Sequence, residues 1–390
     1  MNRLLICLLA VFTGNRLQQP SLFLQPPDRS ATFQHAIQTG TAATGDSSYI
    51  TQQVRAAIKL HTGEFPSKTQ LSLALIQNGS VTFYGVIKEQ GHLIAVNNEA
   101  RIFETGSITK VFTATLLADL VVQKELGLDD RIDTCYPFAF NKGMQFSFRQ
   151  LANHTSGLPR MPSNFAAAKT SPGNPYRNYN RALLEDYLKN EVTVLQAGGE
   201  KYAYSNLGAG LLGYTLGLIQ KTSFPLLLKK RVLTPFNMQH TYLYPDNPEG
   251  QLVRGLDAAG NEVPNWDFDV LSGAGGLRSC ASDLSLFALA QFDSTRRQLA
   301  LTRIPTFRVN DRLQIGLGWH IIQTDYGTTL YWHNGGTAGY SSSMALDPAS
   351  RNGVILLSNV SAFHPHKEHI DQLCFELARL IEKKAEATPG

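Results

Sequence analysis

Cysteine is scarce: four in 390 residues, at positions 7, 135, 280 and 374. Their wide separation excludes a disulfide-dense scaffold and any CxxC metal knuckle. Charge imbalance is also lacking, with 35 Lys and Arg against 31 Asp and Glu, a net +4 spread along the whole chain. That even spread argues against a nucleic-acid or membrane-surface partner. Long apolar runs are missing as well. LLICLLAVFT at residues 4–13 follows a single Arg3 and, at ten residues, is too short to span a bilayer. It reads as the apolar core of a secretory signal, although Gly14, Asn15 and Arg16 stand where a small-x-small cleavage site is usual. The expectation is an exported protein, periplasmic or extracellular, with a cytoplasmic one as the alternative. No GxSxG elbow occurs, which argues against an α/β-hydrolase, and no repeat period is present. What is there is 43% apolar and 17% charged residues, enough to bury a large core in a globular enzyme.

Residues 15–48 form a polar Gln/Ser/Thr/Pro tract, so the fold is expected to begin near Ser48. Helical spacing follows over 49–62. Leu71 to Ile76 and Val81 to Val86 alternate around Asn78-Gly79, a strong hairpin signal. From Ser107 to Lys124 apolar residues recur at helical spacing, with Gly127 as the terminator. Between about 130 and 265 the pattern is mostly helical, broken by Pro, Gly and Asn loops. Of these, residues 156–180 have the composition of a segment that shapes a cleft. A helix over 281–292, strand-like runs at 329–332, 341–346 and 353–358, and a helix over about 367–385 complete the chain. The last helix places Ile370, Leu373, Leu377, Leu380 and Ile381 on one face. The simplest packing is α+β, an α/β sandwich: one antiparallel sheet built from both ends of the chain and flanked by helices. On this reading residues 49–130 and 266–385 form a discontinuous sheet domain and 131–265 a helical insert, behind a signal segment at 1–14.

Three short segments carry chemistry. Ser107-Ile108-Thr109-Lys110 is the only Ser-x-x-Lys, at the start of an apolar helical run. Residues i and i+3 share a helix face, which brings the amine to the hydroxyl, and a helix start offers N–H groups to a developing oxyanion. A serine needs such a base beside it, and the lysine serves only if its pKa is depressed. By itself the motif also fits a solvated helix face. Tyr204-Ser205-Asn206 precedes an apolar helix, where a tyrosine can relay a proton and an asparagine can hold an amide. His333-Asn334-Gly335-Gly336 follows a strand-like run, and its glycines permit close backbone approach. The Gly336 N–H is a candidate second oxyanion donor. His333 alone reads better as a satisfied structural histidine. Tyr176-Arg177-Asn178 repeats Tyr-x-Asn in a Pro/Asn-rich loop and ranks as incidental, while Tyr202 is expected in the core.

In that order, Ser-x-x-Lys, Tyr-x-Asn and His-x-Gly resemble the signature of the serine β-lactamase and penicillin-binding protein superfamily. The flanking text resembles its class C branch, which also holds DD-peptidases, D-aminopeptidases and esterases. FETGSITKVFTATLLADLVVQKELGLDDRI, FSFRQLANHTSGLPRMP, GEKYAYSNLGAGLLGYTLG, LTPFNMQHTYLYP, GAGGLRSCASDLSLFA and the stretch from GLGWHII to VILLSN carry it, from about residue 67 to residue 360. The resemblance implies the β-lactamase/transpeptidase-like fold, with Ser107 as the acylated nucleophile. Lys110 and Tyr204 would share the general-base and proton-relay work, Asn206 would hold substrate, and His333, Gly335 and Gly336 would line the substrate site. His333 stands where lactamases usually carry Lys. A partly charged imidazole loses a permanent carboxylate anchor, and efficient β-lactam hydrolysis is in doubt.

The function expected is a serine hydrolase working through an acyl-enzyme at Ser107. Its first substrate class is amides or peptides ending in a D-amino acid, with esters and β-lactams behind. A class C-type β-lactamase, a penicillin-binding receptor that acylates without turnover, and a binding module that kept only the fold are the alternatives. The partner is a small-molecule or peptide substrate, and no metal, organic cofactor or integral membrane segment is implied. GxGxxG at 208–213 follows no strand and reads as close helix packing. His364-Pro365-His366-Lys367-Glu368-His369 looks like a metal run but reads as a solvated helix start. Cys280 reads as a buried small residue.

Overall fold

The computed structural model describes residues 45–168, 173–246 and 251–385. The expectations for a signal at 4–13 and a polar tract to residue 44 lie outside them. Helix α1 (Gly45–Thr62) leads into β1 (Gln70–Gln77), β2 (Ser80–Glu89) and β3 (His92–Ala95). Asn78 and Gly79 turn the first hairpin with φ of 50° and 81°, as expected for Asn-Gly. Gln90 and Gly91 repeat those angles (49° and 81°) and add β3, a short half-exposed edge strand that the alternation did not reveal.

A two-residue strand β4 (Phe103–Glu104) and a tight turn (Gly106–Ile108) open α2 (Thr109–Val122). This helix is buried on nearly every side, so it belongs to the centre of the molecule rather than to its surface. It ends earlier than Gly127 suggests. Lys124 takes the left-handed conformation (φ 62°), its N–H bonds to the Val121 carbonyl, and the Glu125 N–H bonds to that of Leu120. That pattern is a Schellman closure made without glycine.

Next come α3 (Phe148–Ala152), α4 (Arg181–Asn190), α5 (Asn206–Ile219) and α6 (Phe224–Leu228), joined by long irregular loops. Strands β5 (Tyr242–Leu243) and β6 (Leu277–Ser279) complete a small sheet in the order β4-β6-β5. Helices α7 (Ala281–Gln291) and α8 (Arg297–Thr302) precede β7 (Phe307–Arg308), β8 (Leu313–Ile315), β9 (His320–Gln323), β10 (Thr329–Gly336), β11 (Ser341–Asp347) and β12 (Asn352–Ser358). Helix α9 (Glu368–Ala385) ends the described chain.

The large sheet has nine antiparallel strands in the order β3-β2-β1-β12-β11-β10-β9-β8-β7. Segments from both sides of the central region therefore build it, meeting where Leu73 pairs with Leu356, and among the described residues no strand from 109–246 enters it. The expected α+β architecture holds. Strands β11 and β12 are buried along their whole length and β1 along all but its ends. Helices α1 and α9 cover one face through Val54, Ile58, Ile370, Leu373, Leu377 and Ile381, each contributing roughly 1.5–3 kcal/mol relative to exposure. Helix α7 packs against β1 and β12 as well.

Two C-terminal expectations need correction. Strands β7, β8 and β9 are too short, or too polar at their ends, to show as runs. Strand β10 also does not stop at Trp332; it continues to Gly336, so the His-Asn-Gly-Gly segment is itself strand, paired residue by residue with β11.

Candidate active site

The turn that carries Ser107 is held from three directions. The Thr105 N–H and hydroxyl both donate to the Leu277 carbonyl (3.0 and 2.9 Å). Thr109 donates to the Gly106 carbonyl (2.6 Å) and accepts from the Leu277 N–H (3.0 Å). The Ser342 hydroxyl donates to the Thr105 carbonyl (2.8 Å). Gly106 has φ 52°, in the left-handed region, and a Cβ there would lie 2.4 Å from the Gly336 nitrogen. A Cβ on Gly335 would lie 1.9 Å from the Thr105 oxygen and 2.8 Å from the Ser107 nitrogen. The end of β10 and the turn thus touch backbone to backbone, and only glycine permits it. This contact sets the Ser107 and Gly336 amides side by side.

Lys110 follows within α2 and is 2% exposed. Its Nζ lies 3.0 Å from Ser107 Oγ, 2.9 Å from Asn206 Oδ1 and 2.6 Å from the Ala274 carbonyl. Burial drives its pKa well below the ordinary lysine value, and the nearby Arg160 charge adds to the effect. A neutral amine has two N–H groups and one lone pair. The two carbonyl-type oxygens can only accept, so they take both N–H groups and the lone pair is left for the Ser107 hydroxyl. That is the geometry of a base poised on a nucleophile.

The second segment reaches this point through a cap. Ser205 begins α5, its Oγ accepting from the Gly208 N–H (2.8 Å) and donating to the Pro159 carbonyl (2.6 Å). The Ser205 N–H donates to His154 Nδ1 (3.2 Å), so the 154–160 loop and α5 are fixed together. The Tyr204 ring lies 4.8 Å from Lys110 Nζ and 5.2 Å from the Arg160 guanidinium, with the His154 ring at 4.5 Å, tilted by 35°. Burial pushes the Tyr204 phenol up, only partly offset by its contact with the Ser107 hydroxyl. It remains a protonated donor at neutral pH. Asn206 turns its Nδ2 toward the Tyr176 hydroxyl (3.4 Å).

His333 lies on β10. It is 1% exposed and donates Nδ1–H to the Asn334 carbonyl (2.6 Å). Burial, with His320 and Lys110 nearby, drives its pKa well below the ordinary value. A neutral ring with its lone pair on Nε2 supplies no charge to a carboxylate. Its neighbour His320 is pushed down to about 4 by burial.

A cavity of about 660 Å³ opens over Ser107, lined also by Arg160, Tyr176, Tyr204, Asn206, Trp266, Phe268, Gly335 and Gly336. Two tyrosines set aside in the sequence stand in this wall. Tyr176 stacks on Phe268 at 4.0 Å, and the Tyr202 hydroxyl bonds His320 Nε2 (2.9 Å) instead of packing in the core. Arg160, His320, Trp266 and Phe268 were not singled out. Arg160 ends the His-Thr-Ser-Gly-Leu-Pro block, the one signal that pointed toward it.

The family model described as "Beta-lactamase" matches residues 67–378. The chain belongs to the β-lactamase family. A β-lactamase of Providencia stuartii is 30% identical over 221 residues, 55% of this chain and 53% of that protein, so the chain spans about half of this relative's length. A β-lactamase of Pseudomonas fluorescens is 24% identical over 77% of this chain and 90% of its own. The structure titled a β-lactamase/D-alanine carboxypeptidase from Pseudomonas syringae superposes with a TM-score of 0.71 at 22% identity, over 87% of this chain and all of the other. It shows the shared fold.

Of the remaining motifs, the run at the start of α9 reaches the cavity through Lys367 and Glu368. Gly210 and Gly213 let α5 press on Leu271 and Gly273, where a Cβ would come within 2.6 and 3.0 Å, which is the packing role expected. His366, Glu368 and His369 gather at the start of α9 with ligand atoms within 4.8 Å of one another. Cys280 is fully buried and, with Cys135 and Cys374, a free thiol. No described helix is long and apolar enough to cross a membrane.

Proposed function

We propose that this β-lactamase-family chain hydrolyses amides or peptides ending in a D-amino acid, and esters more slowly, through an acyl-enzyme at Ser107. The observation that carries the reading is the buried Lys110 amine, held by Asn206 Oδ1 and the Ala274 carbonyl with its Nζ 3.0 Å from Ser107 Oγ. As Ser107 Oγ bonds to the carbonyl carbon, its proton passes to Lys110 Nζ. The oxyanion is met by the Ser107 and Gly336 N–H groups. The C–N bond then breaks, and Tyr204 hands its proton to the departing amine and recovers one from Lys110. Water deacylates by the reverse path. The Pseudomonas syringae structure bears both activities in its title, and the neutral His333 favours the peptidase side over β-lactam hydrolysis. The apolar run at 4–13 supports an exported protein.

The test is a hydrolysis panel of nitrocefin, p-nitrophenyl acetate, D-Ala-p-nitroanilide and a D-Ala-D-Ala peptide, with mass spectrometry of the intact protein. Turnover of the D-Ala substrates that vanishes in Ser107→Ala is the expected result. An acyl adduct that persists for hours without turnover identifies a penicillin-binding receptor instead, and a Ser107 inert to every probe identifies a binding module.

The role given to Tyr204 makes a separate prediction. Tyr204→Phe lowers hydrolysis of D-Ala-p-nitroanilide by ~10²-fold but that of p-nitrophenyl acetate far less, because p-nitrophenolate leaves without protonation. Equal losses on the two substrates would rule out the phenol as proton donor.

A further inference from the structure

Around Tyr204, charge has been removed from nearly every group able to carry it. Lys110, His154 and His333 are buried, and burial pulls the pKa of each well below its ordinary value, as it pulls His320 down to about 4. Arg160 is the exception, because a guanidinium stays charged at any working pH. Its side chain is exposed, lines the same cavity as Ser107, and lies 5.2 Å over the Tyr204 ring. Among the described residues no carboxylate pairs with it. Its carbonyl accepts the Leu207 N–H (3.1 Å). The residue is thereby tied to the start of α5, whose Asn206 holds Lys110. The position of the Arg160 backbone relative to the nucleophile is thus set by the fold.

We propose that Arg160 is the specificity-determining residue of this site, binding the carboxylate of an anionic substrate in the role that the neutral, buried His333 cannot fill. The inference rests on the acyl-enzyme reading above and adds the substrate's charge to it. A guanidinium fork takes a carboxylate through two parallel N–H bonds, and a concave, partly apolar site strengthens the attraction. Tyr176, Trp266 and Phe268 supply such walls. The other cation on the cavity wall, Lys367, has the buried Asp371 carboxyl beside it, itself bonded to Asn334 Nδ2 (2.7 Å). Lys367 thus has a carboxyl in electrostatic reach at the start of α9, whereas no ion pair of Arg160 occurs among the described residues.

The experiment compares N-acetyl-D-Ala-D-Ala with its C-terminal amide, two ligands that differ only in the terminal charge. Each is titrated as a protectant against labelling of Ser107 by a fluorophosphonate, so a peptide that is not cleaved still reports its binding. In the wild type the acid protects at concentrations about 10- to 100-fold lower than the amide, the range of a charge-assisted hydrogen bond. In Arg160→Ala that ratio collapses toward one, Arg160→Lys restores part of it, and Lys367→Ala leaves it in place. A wild-type ratio near one overturns the assignment of Arg160, as does a ratio that survives Arg160→Ala, and in both cases the acyl-enzyme reading stands. A Ser107 that the probe never labels in folded protein overturns both.

Discussion

Lys110→Ala slows labelling of Ser107 by a fluorophosphonate by at least ~10²-fold, the span of a general base, while the protein stays folded by circular dichroism. The reason lies in the protonation state that burial imposes. An ordinary lysine titrates near 10.4 and at neutral pH would leave the serine without a base. Here burial and the Arg160 charge displace the pKa well downward, which frees the amine to accept the serine proton at a lower pH than an ordinary lysine. The sign follows directly. Labelling in the wild type is flat above the lowered lysine pKa, and falls tenfold per unit once the pH drops through it. A rate that climbs tenfold per unit between pH 7 and 9 would show an ordinary, charged Lys110. A near-wild-type rate in Lys110→Ala would transfer the base to another group.

Gly335→Ala is expected to cost as much through one methyl group. The added carbon falls 1.9 Å from the Thr105 oxygen and 2.7 Å from Ser342 Oγ, contacts that no rotamer relieves because the first partner is backbone. The end of β10 must then move off the nucleophile turn and carry the Gly336 N–H away from the Ser107 N–H. Losing one oxyanion donor lowers acyl transfer by ~10²- to 10³-fold, and the overpacking costs about 1–3 kcal/mol of stability. The pair of measurements is the labelling rate and the thermal midpoint. A variant that melts earlier yet labels at the wild-type rate would show that the Gly336 amide takes no part.

The motifs were legible because each holds its chemistry within four residues: Ser107 and Lys110 share a helix start, and Tyr204 and Asn206 flank a capping serine. The Asn78-Gly79 hairpin and the apolar face of α9 were equally local. What stayed hidden depends on distant partners. Tyr176 lies in a Pro/Asn-rich loop with no periodic pattern, and only Phe268, ninety-two positions on, gives its ring a stacking surface. Tyr202 sits two residues from Tyr204, as a core residue of an extended segment does, yet its hydroxyl finds His320 from across the fold. Strands β7 to β9 are too short to establish a period of two and exist because β10 offers an edge. His333 was the sharpest case. Its spacing placed it correctly in the row, but its charge was decided by the layers closing over it, which no spacing records.

The grip of Ser342 on Thr105, and of β10 on the turn around Gly106, also dictates when reactivity can appear during synthesis. A growing polypeptide exposes Ser107 to the cell long before Gly336 and Ser342 have left the ribosome. Until those late residues arrive, the turn lacks the strand that holds it in place. On the proposed mechanism the chain is born inert, and arms itself only with the completion of its last strands.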